Sequence, residues 1–305
     1  MSTRLTEKIG QLKAERNAVI LAHNYQSGEI QDIADFTGDS LELSKKASQT
    51  DADVIVFCGV RFMAETAAIL SPRKQVLLPD KYAGCPLADM ITAEQLRELK
   101  RNHPDALVVC YVNSSAEVKA QSDYCCTSAN TVEVVKSLPA DKEVIFVPDQ
   151  HLGQFTSKRT GRKLILWPGY CHVHIAITED DIKDAKVKYP DAVVMAHPEC
   201  TEPVKAISDQ LLSTGGMLKF ARQNEARRFI VATETGIIHT LKKENPGKEF
   251  FAASQRAVCP NMKRITLDKV IGCLQSMQYK ITVPEDVRIK AKKSLDKMIE
   301  VLPAG

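Results

Sequence analysis

The sequence predicts an α/β protein of three homologous αβα-sandwich domains, with small parallel sheets set around a pseudo-threefold axis. Three observations carry this reading. Short apolar runs alternate with helical patterns, as parallel sheets covered on both faces require. Three of these runs align: Ala18-Val-Ile-Leu-Ala-His23, Ala106-Leu-Val-Val-Cys-Tyr111 and Ala192-Val-Val-Met-Ala-His197, whose last residues stand 88 and 86 apart. The same landmarks then recur in register. Each run is followed at seventeen residues by a hydroxyl (Ser40, Ser128, Thr214), then by a cysteine (Cys85, Cys171, Cys259), then by Ile-Thr with its threonine seven residues past the cysteine. A period of about 87 residues repeated three times organises the chain.

The expected domains are 1–103, 104–189 and 190–305. In the first copy, 18–22 reads as a short buried strand and 30–46 as a helix with a Thr-Gly break. Residues 54–58 form a second strand, 62–70 a helix stopped by Ser-Pro, and 76–78 a third strand. Thr92-Ala-Glu-Gln95 opens a further helix as a capping box. His103-Pro104-Asp105 and Tyr189-Pro190-Asp191 end the corresponding helices of copies one and two. Leu5, Ile9 and Leu12 mark an N-terminal packing helix in the first domain. Val287, Ala291, Leu295, Met298 and Leu302 mark a C-terminal one, 284–302, expected to pack on that domain.

The 305 residues are 44% apolar, 26% charged and 6% aromatic. A chain of this length buries roughly three quarters of its unfolded surface and needs no disulfides. A net charge of +3 with one Trp argues against a nucleic-acid partner. The longest apolar run, Val54 to Val60, is about a third of a membrane span. Met-Ser-Thr-Arg-Leu-Thr-Glu-Lys lacks the apolar core of an export signal. The expectation is a cytoplasmic protein with no membrane partner. Nine cysteines, an odd number without any C-x-x-C, then read as reduced thiols. Local zinc, thioredoxin-like and ferredoxin motifs are excluded with them.

Open α/β sheets bind ligands beyond the carboxyl ends of their strands. Alternate residues there share a face, giving the equivalent pairs His23/Tyr25, Tyr111/Asn113 and His197/Glu199. Six hydrogen-bonding groups at matching positions point to one shared site. Ser40, Ser128 and Thr214 fit helix caps; three such helix starts around a cavity would also cradle carboxylate or phosphate.

Around a threefold axis, Cys85, Cys171 and Cys259 arrive at equivalent points. A cubane 4Fe–4S cluster has a threefold axis of its own, so three thiolates can hold three irons and leave the fourth open as a Lewis acid. The same spacing fits three structural cysteines, or a Cys3His zinc site using His172 or His174. Copies one and three carry Pro86 and Pro260 where copy two has His172. Cys58, Cys110 and Cys273 read as core residues. Cys125-Cys126 and Cys200 fall near the expected site but break the threefold pattern, and the adjacent pair could serve as a redox switch. His103 and His239 read as surface or loop residues.

Four segments of the first half stand out: Ala22-His23-Asn24-Tyr25-Gln26, Gly38-Asp39-Ser40-Leu41, Gly84-Cys85-Pro86-Leu87-Ala88-Asp89-Met90 and Tyr111-Val112-Asn113-Ser114-Ser115. Val147-Pro148-Asp149-Gln150-His151-Leu152-Gly153, Ala196-His197-Pro198-Glu199-Cys200 and Ala232-Thr233-Glu234-Thr235-Gly236 extend the set over essentially the whole chain. Together these segments resemble the quinolinate synthase family. The resemblance implies a transferase of NAD biosynthesis that condenses iminoaspartate with dihydroxyacetone phosphate to quinolinate, losing phosphate and two waters. It implies a 4Fe–4S cluster on Cys85, Cys171 and Cys259, and an enzyme elsewhere that supplies iminoaspartate. It implies substrate contacts from His23, Ser40, Tyr111, Asn113, Ser128, His197, Glu199 and Thr214. For the proton transfers of such a reaction, Glu199 suits the general base with His197 assisting. Tyr25 and Tyr111 suit donors to oxygen. An electron carrier or redox sensor would need a fourth cluster cysteine. A small-anion binding protein would need no iron.

Overall fold

Copy one begins with α1 (Ser2–Glu15) and β1 (Ala18–His23), then α2 (Gly28–Ile33), β2 (Phe36–Gly38), α3 (Ser40–Gln49), β3 (Val54–Cys58), α4 (Arg61–Leu70), β4 (Gln75–Leu77) and α5 (Ala93–Asn102). Copy two runs β5 (Leu107–Tyr111), α6 (Ala116–Ala120), β6 (Tyr124–Cys126), α7 (Thr131–Lys136), β7 (Val144–Val147), α8 (Gln150–Thr160), β8 (Ile165–Leu166), α9 (His172–Ile175) and α10 (Glu179–Lys188). Copy three runs β9 (Val193–Ala196), α11 (Glu202–Ala206), β10 (Gln210–Leu211), α12 (Thr214–Gln223), β11 (Arg228–Ala232), α13 (Ile237–Glu244), β12 (Glu249–Ala252) and α14 (Leu267–Ser276). The last helix is α15 (Glu285–Glu300). This computed structural model describes residues 2–301, so Leu302 lies outside the described residues.

The result is three four-stranded parallel sheets with one topology, β2-β1-β3-β4, β6-β5-β7-β8 and β10-β9-β11-β12. The central strands are buried on both faces, as β3 (Val-Ile-Val-Phe-Cys) shows, which is why they read as unbroken apolar runs. In each sheet the strand order reverses at the first strand of the copy. That switch point is where an open α/β sheet leaves a crevice at its carboxyl edge. His23 ends β1, Tyr111 ends β5, and His197 directly follows β9.

One stretch differs from the sequence expectation. Residues 30–46 are not a single broken helix but α2, the edge strand β2, and α3. Three residues are too few to show a strand period, and their conformation is fixed from outside. Phe36, Thr37 and Gly38 pair with Leu21, Ala22 and His23. Asp35 Oδ2 also accepts Ile20 N–H at 2.8 Å, and the same brace recurs as Asp123 to Val108 N and Asp209 to Val194 N, each 2.8 Å. Asp35, Asp123 and Asp209 stand 88 and 86 residues apart, a repeat signal that was present in the sequence.

The Ile-Thr landmarks start the closing helices. Thr92, Thr178 and Thr266 cap α5, α10 and α14, accepting Gln95, Asp181 and Lys269 N–H. Each closing helix reaches the next copy round the ring: α5 meets α6, α10 meets β11, and α14 lies on α1 and β3. The C-terminal α15 crosses α6 and β6 and also touches α3 and α4. Asn130 Nδ2 ties its end by donating to Met298 O and Val301 O.

Candidate active site

The three switch points face one cavity. Its walls hold His23, Tyr25, Ser40, Cys85, Tyr111, Asn113, Ser128, Cys171, His197, Glu199, Thr214 and Cys259, so the three strand-end pairs, the three hydroxyls and the three in-register cysteines line one space. The hydroxyls are not the caps expected of them. Asp39 caps α3 and Ser213 caps α12, which leaves Ser40 and Thr214 as first helical residues, while Ser128 precedes α7 by three positions. Two of these side chains bond across copies. Asn24 Nδ2 donates to Thr214 Oγ1 at 3.1 Å, and His197 Nε2 lies 3.1 Å from Ser128 Oγ.

Glu199 is the centre of the polar array and is almost fully buried. Its Oε2 lies 2.9 Å from His174 Nδ1 and 3.2 Å from His197 Nδ1. From His174, Nε2 reaches Thr233 Oγ1 at 2.8 Å, and Thr233 Oγ1 meets Tyr25 OH at 2.5 Å. A carboxylate, an imidazole, a hydroxyl and a phenol thus follow one another through the core. Burial alone would raise the Glu199 pKa, but His174 and then His197 more than offset it and hold the carboxyl well below the ordinary carboxylate range. The ionised form is therefore the resident one. Its other oxygen, Oε1, and Asn113 Oδ1 are buried without a hydrogen-bond partner among the described residues.

The neighbours divide by charge. Burial, with His197 and Lys263 nearby, lowers the His23 pKa to about 3, and burial with His174 nearby lowers that of His197. Both are neutral imidazoles at pH 7. Burial and the Glu199 charge push the Tyr25 and Tyr111 phenols well above their ordinary value, so both keep their protons. Burial and Glu199 also raise Asp149, whose carboxylate oxygen accepts Leu152 N–H at the start of α8.

Cys85, Cys171 and Cys259 are the partly buried cysteines among nine free ones; the other six are buried. Each sulfur is met by two backbone N–H groups from the second and third residues after it: Leu87 and Ala88, Val173 and His174, Asn261 and Met262. The repetition of this cradle three times is a property of the sulfurs' surroundings, not of their spacing alone. Burial drives the Cys85 thiol up to about 12 and raises the other two, so forming thiolates here demands a compensating cation. Cys125, Cys126 and Cys200, expected near the site, are fully buried and do not line the cavity.

The ligand atoms of Cys171, His174 and Glu199 also lie within 4.8 Å of one another, close enough for a divalent ion. His174, however, has Nε2 within 2.8 Å of Thr233 Oγ1, and its Nδ1 sits 2.9 Å from Glu199 Oε2. That leaves the three cradled sulfurs as the better donor set.

The profile of the quinolinate synthetase A protein family matches residues 7–300. The chain belongs to this family. Similar proteins include the quinolinate synthase of Dehalococcoides mccartyi strain CBDB1, 56% identical over 98% of both chains. Quinolinate synthase 2 of Methanosarcina acetivorans is 54% identical over 97% of this chain and 96% of its own. The quinolinate synthase of Geobacter metallireducens is 54% identical over 97% of each. The chain therefore carries the quinolinate synthase architecture of NAD biosynthesis over nearly its full length.

Within that architecture, sequence reasoning passed over several polar residues of the site. His174 entered only as an alternative zinc ligand, and Thr233 only as part of a motif. Glu234, also in that motif, is fully buried; it accepts Cys259 N–H at 3.0 Å and Gly236 N–H at 2.7 Å and pairs with Lys263 at 2.9 Å. These residues have no counterparts at the matching points of the other copies, so a search by threefold register could not find them.

Proposed function

We propose that this chain condenses iminoaspartate with dihydroxyacetone phosphate to quinolinate, releasing phosphate and two waters, as a transferase in the cytoplasm. The reading takes Cys85, Cys171 and Cys259 as the ligands of a 4Fe–4S cluster, with domains 1–103, 104–189 and 190–305 each giving one. When bound, that cluster would supply an open iron as a Lewis acid for an oxygen leaving group. The remaining chemistry belongs to side chains. His23, Ser40, Asn113, Ser128 and Thr214 orient the carboxylates of substrate and intermediates, with the helix starts of α3 and α12 favouring negative charge. Glu199 Oε1 takes protons in the enolisation and ring-closing steps, while His174 and His197 keep its carboxyl ionised and oriented. Tyr25 and Tyr111, protonated phenols, give protons or hydrogen bonds to oxygens that develop charge or depart. Iminoaspartate would come from a separate enzyme that oxidises aspartate at its amino-bearing carbon.

The observation that supports this most is the joint presence, in one cavity, of three equally cradled thiols and a buried carboxylate with a free oxygen. An electron carrier needs no such carboxylate. The test is anaerobic turnover of the iron-loaded protein with aspartate oxidised in situ and dihydroxyacetone phosphate. Quinolinate and phosphate should appear in equal amounts. Iron-loaded protein that yields neither contradicts the reading.

A further inference from the structure

Outside the cavity, a groove of ≈ 790 Å³ lies among α3, α7 and α12, against ≈ 70 Å³ for the cavity itself. Asp39 and Ser128 line both spaces, so one layer of side chains separates them. The groove is framed by equivalent helices of all three copies and therefore opens along the pseudo-threefold axis, above the helix starts that face the site.

Its charges are unevenly free. Lys45, Lys136, Arg159, Lys219 and Arg222 line it, with Asp39, Glu42 and Glu133 as the carboxylates. Among the described residues, only Arg222 of these cations is in an ion pair, with Glu244 at 2.9 Å. Two of the three carboxylates accept backbone N–H, Asp39 from Leu41 and Glu42, and Glu42 from Asp39 at 2.8 Å, and keep their charge, so the five lining cations exceed the three carboxylates by two. Four of the five cations recur in register in two copies of three. Lys45 and Lys219 stand five residues past Ser40 and Thr214, where copy two has Glu133, and Lys136 and Arg222 stand eight past Ser128 and Thr214, where copy one has Ser48.

We propose that this axial groove is a capture site for small polyanions, dicarboxylates and phosphate monoesters, on their way into the cavity. Lys45, Lys136, Arg159 and Lys219 supply its field. The inference rests on the anionic substrates of the preceding reading and adds where they first bind. A concave, positively charged entrance raises the local concentration of dianions and their association rate, an effect that salt removes.

The test is stopped-flow binding of pyridine-2,3-dicarboxylate to the iron-loaded full chain. The parent is compared with a triple variant, Lys45→Gln, Lys136→Gln and Lys219→Gln, and with a control triple outside the groove, Lys8→Gln, Lys183→Gln and Lys290→Gln. At low salt the groove variant should associate about tenfold more slowly, with the gap closing by roughly 0.5 M salt and dissociation little changed. The control should match the parent. Equal association rates in both triples, with the parent binding and turning over, overturn the capture site and leave the proposed reaction standing. A parent that does not bind the dicarboxylate at all overturns both.

Discussion

Glu199 is the side chain on which the most observations meet. Its matching positions are Tyr25 and Asn113, so a carboxylate appears at this strand end in copy three alone. A site built only to hold polyanions would avoid it, since like charges repel in a partly dry cavity. Anionic neighbours would raise the pKa of such a carboxylate, but the two imidazoles within 3.2 Å do the reverse and favour the charged form. Glu199→Gln preserves size and removes the base. Turnover should fall by about two to four orders of magnitude, the usual worth of a general base, with iron content unchanged and dicarboxylate binding equal or tighter. Activity within a few-fold of the parent would assign the proton transfers elsewhere. The buried histidines make a second prediction, about stability. His23 titrates near 6.5 unfolded and at about 3 folded, so between those values the unfolded chain binds more protons. His197 shifts in the same direction. Their contribution is complete above about pH 6.5 and is lost as pH falls toward 3. Because the raised carboxyls Asp39 and Asp149 act in the opposite direction, the histidine contribution is read by difference: the change in urea midpoint between pH 7 and pH 5 should be less downward in His23→Gln than in the parent. The same pH response in both would mean that His23 is not buried neutral.

At the level of elements, the repeat made most of the fold legible. Buried central strands announce themselves as apolar runs, and the threonine caps of α5, α10 and α14 are visible as Ile-Thr pairs in register. Strand β2 was not, because three residues hold no period and the strand exists through its neighbours and the Asp35 brace. The site followed the same division. Residues at repeat positions were found, whereas His174, Thr233 and Glu234 act in one copy only and become visible once the chain is folded. The caps also carry a consequence beyond their own helices, since each closing helix leans on the next copy. Thr266→Ala removes the acceptor for Lys269 N–H and should cost about 1 kcal/mol. Because α14 lies on α1 and β3, amide exchange should speed up in α1 as well as in α14. Faster exchange confined to α14 would show that the two helices do not open together.

Across the whole molecule, three sheets of one topology bring three switch points together, and the ring of closing helices holds them there. No helix among the described residues is long and apolar enough to cross a membrane. The threefold register is kept in the sulfur cradles and, for α3 and α12, in the helix starts. It is broken at Glu199, His174 and the two phenols. The central proposal is that this is a division of labour: residues in register hold the cofactor and the anions, and those out of register move protons. It is tested most directly by the iron and sulfide content of anaerobically purified single Cys→Ala variants. Cys85→Ala, Cys171→Ala and Cys259→Ala should each lose most of the iron, while Cys58→Ala, Cys110→Ala and Cys273→Ala keep the parent's content. Full iron and sulfide in Cys171→Ala would contradict the account.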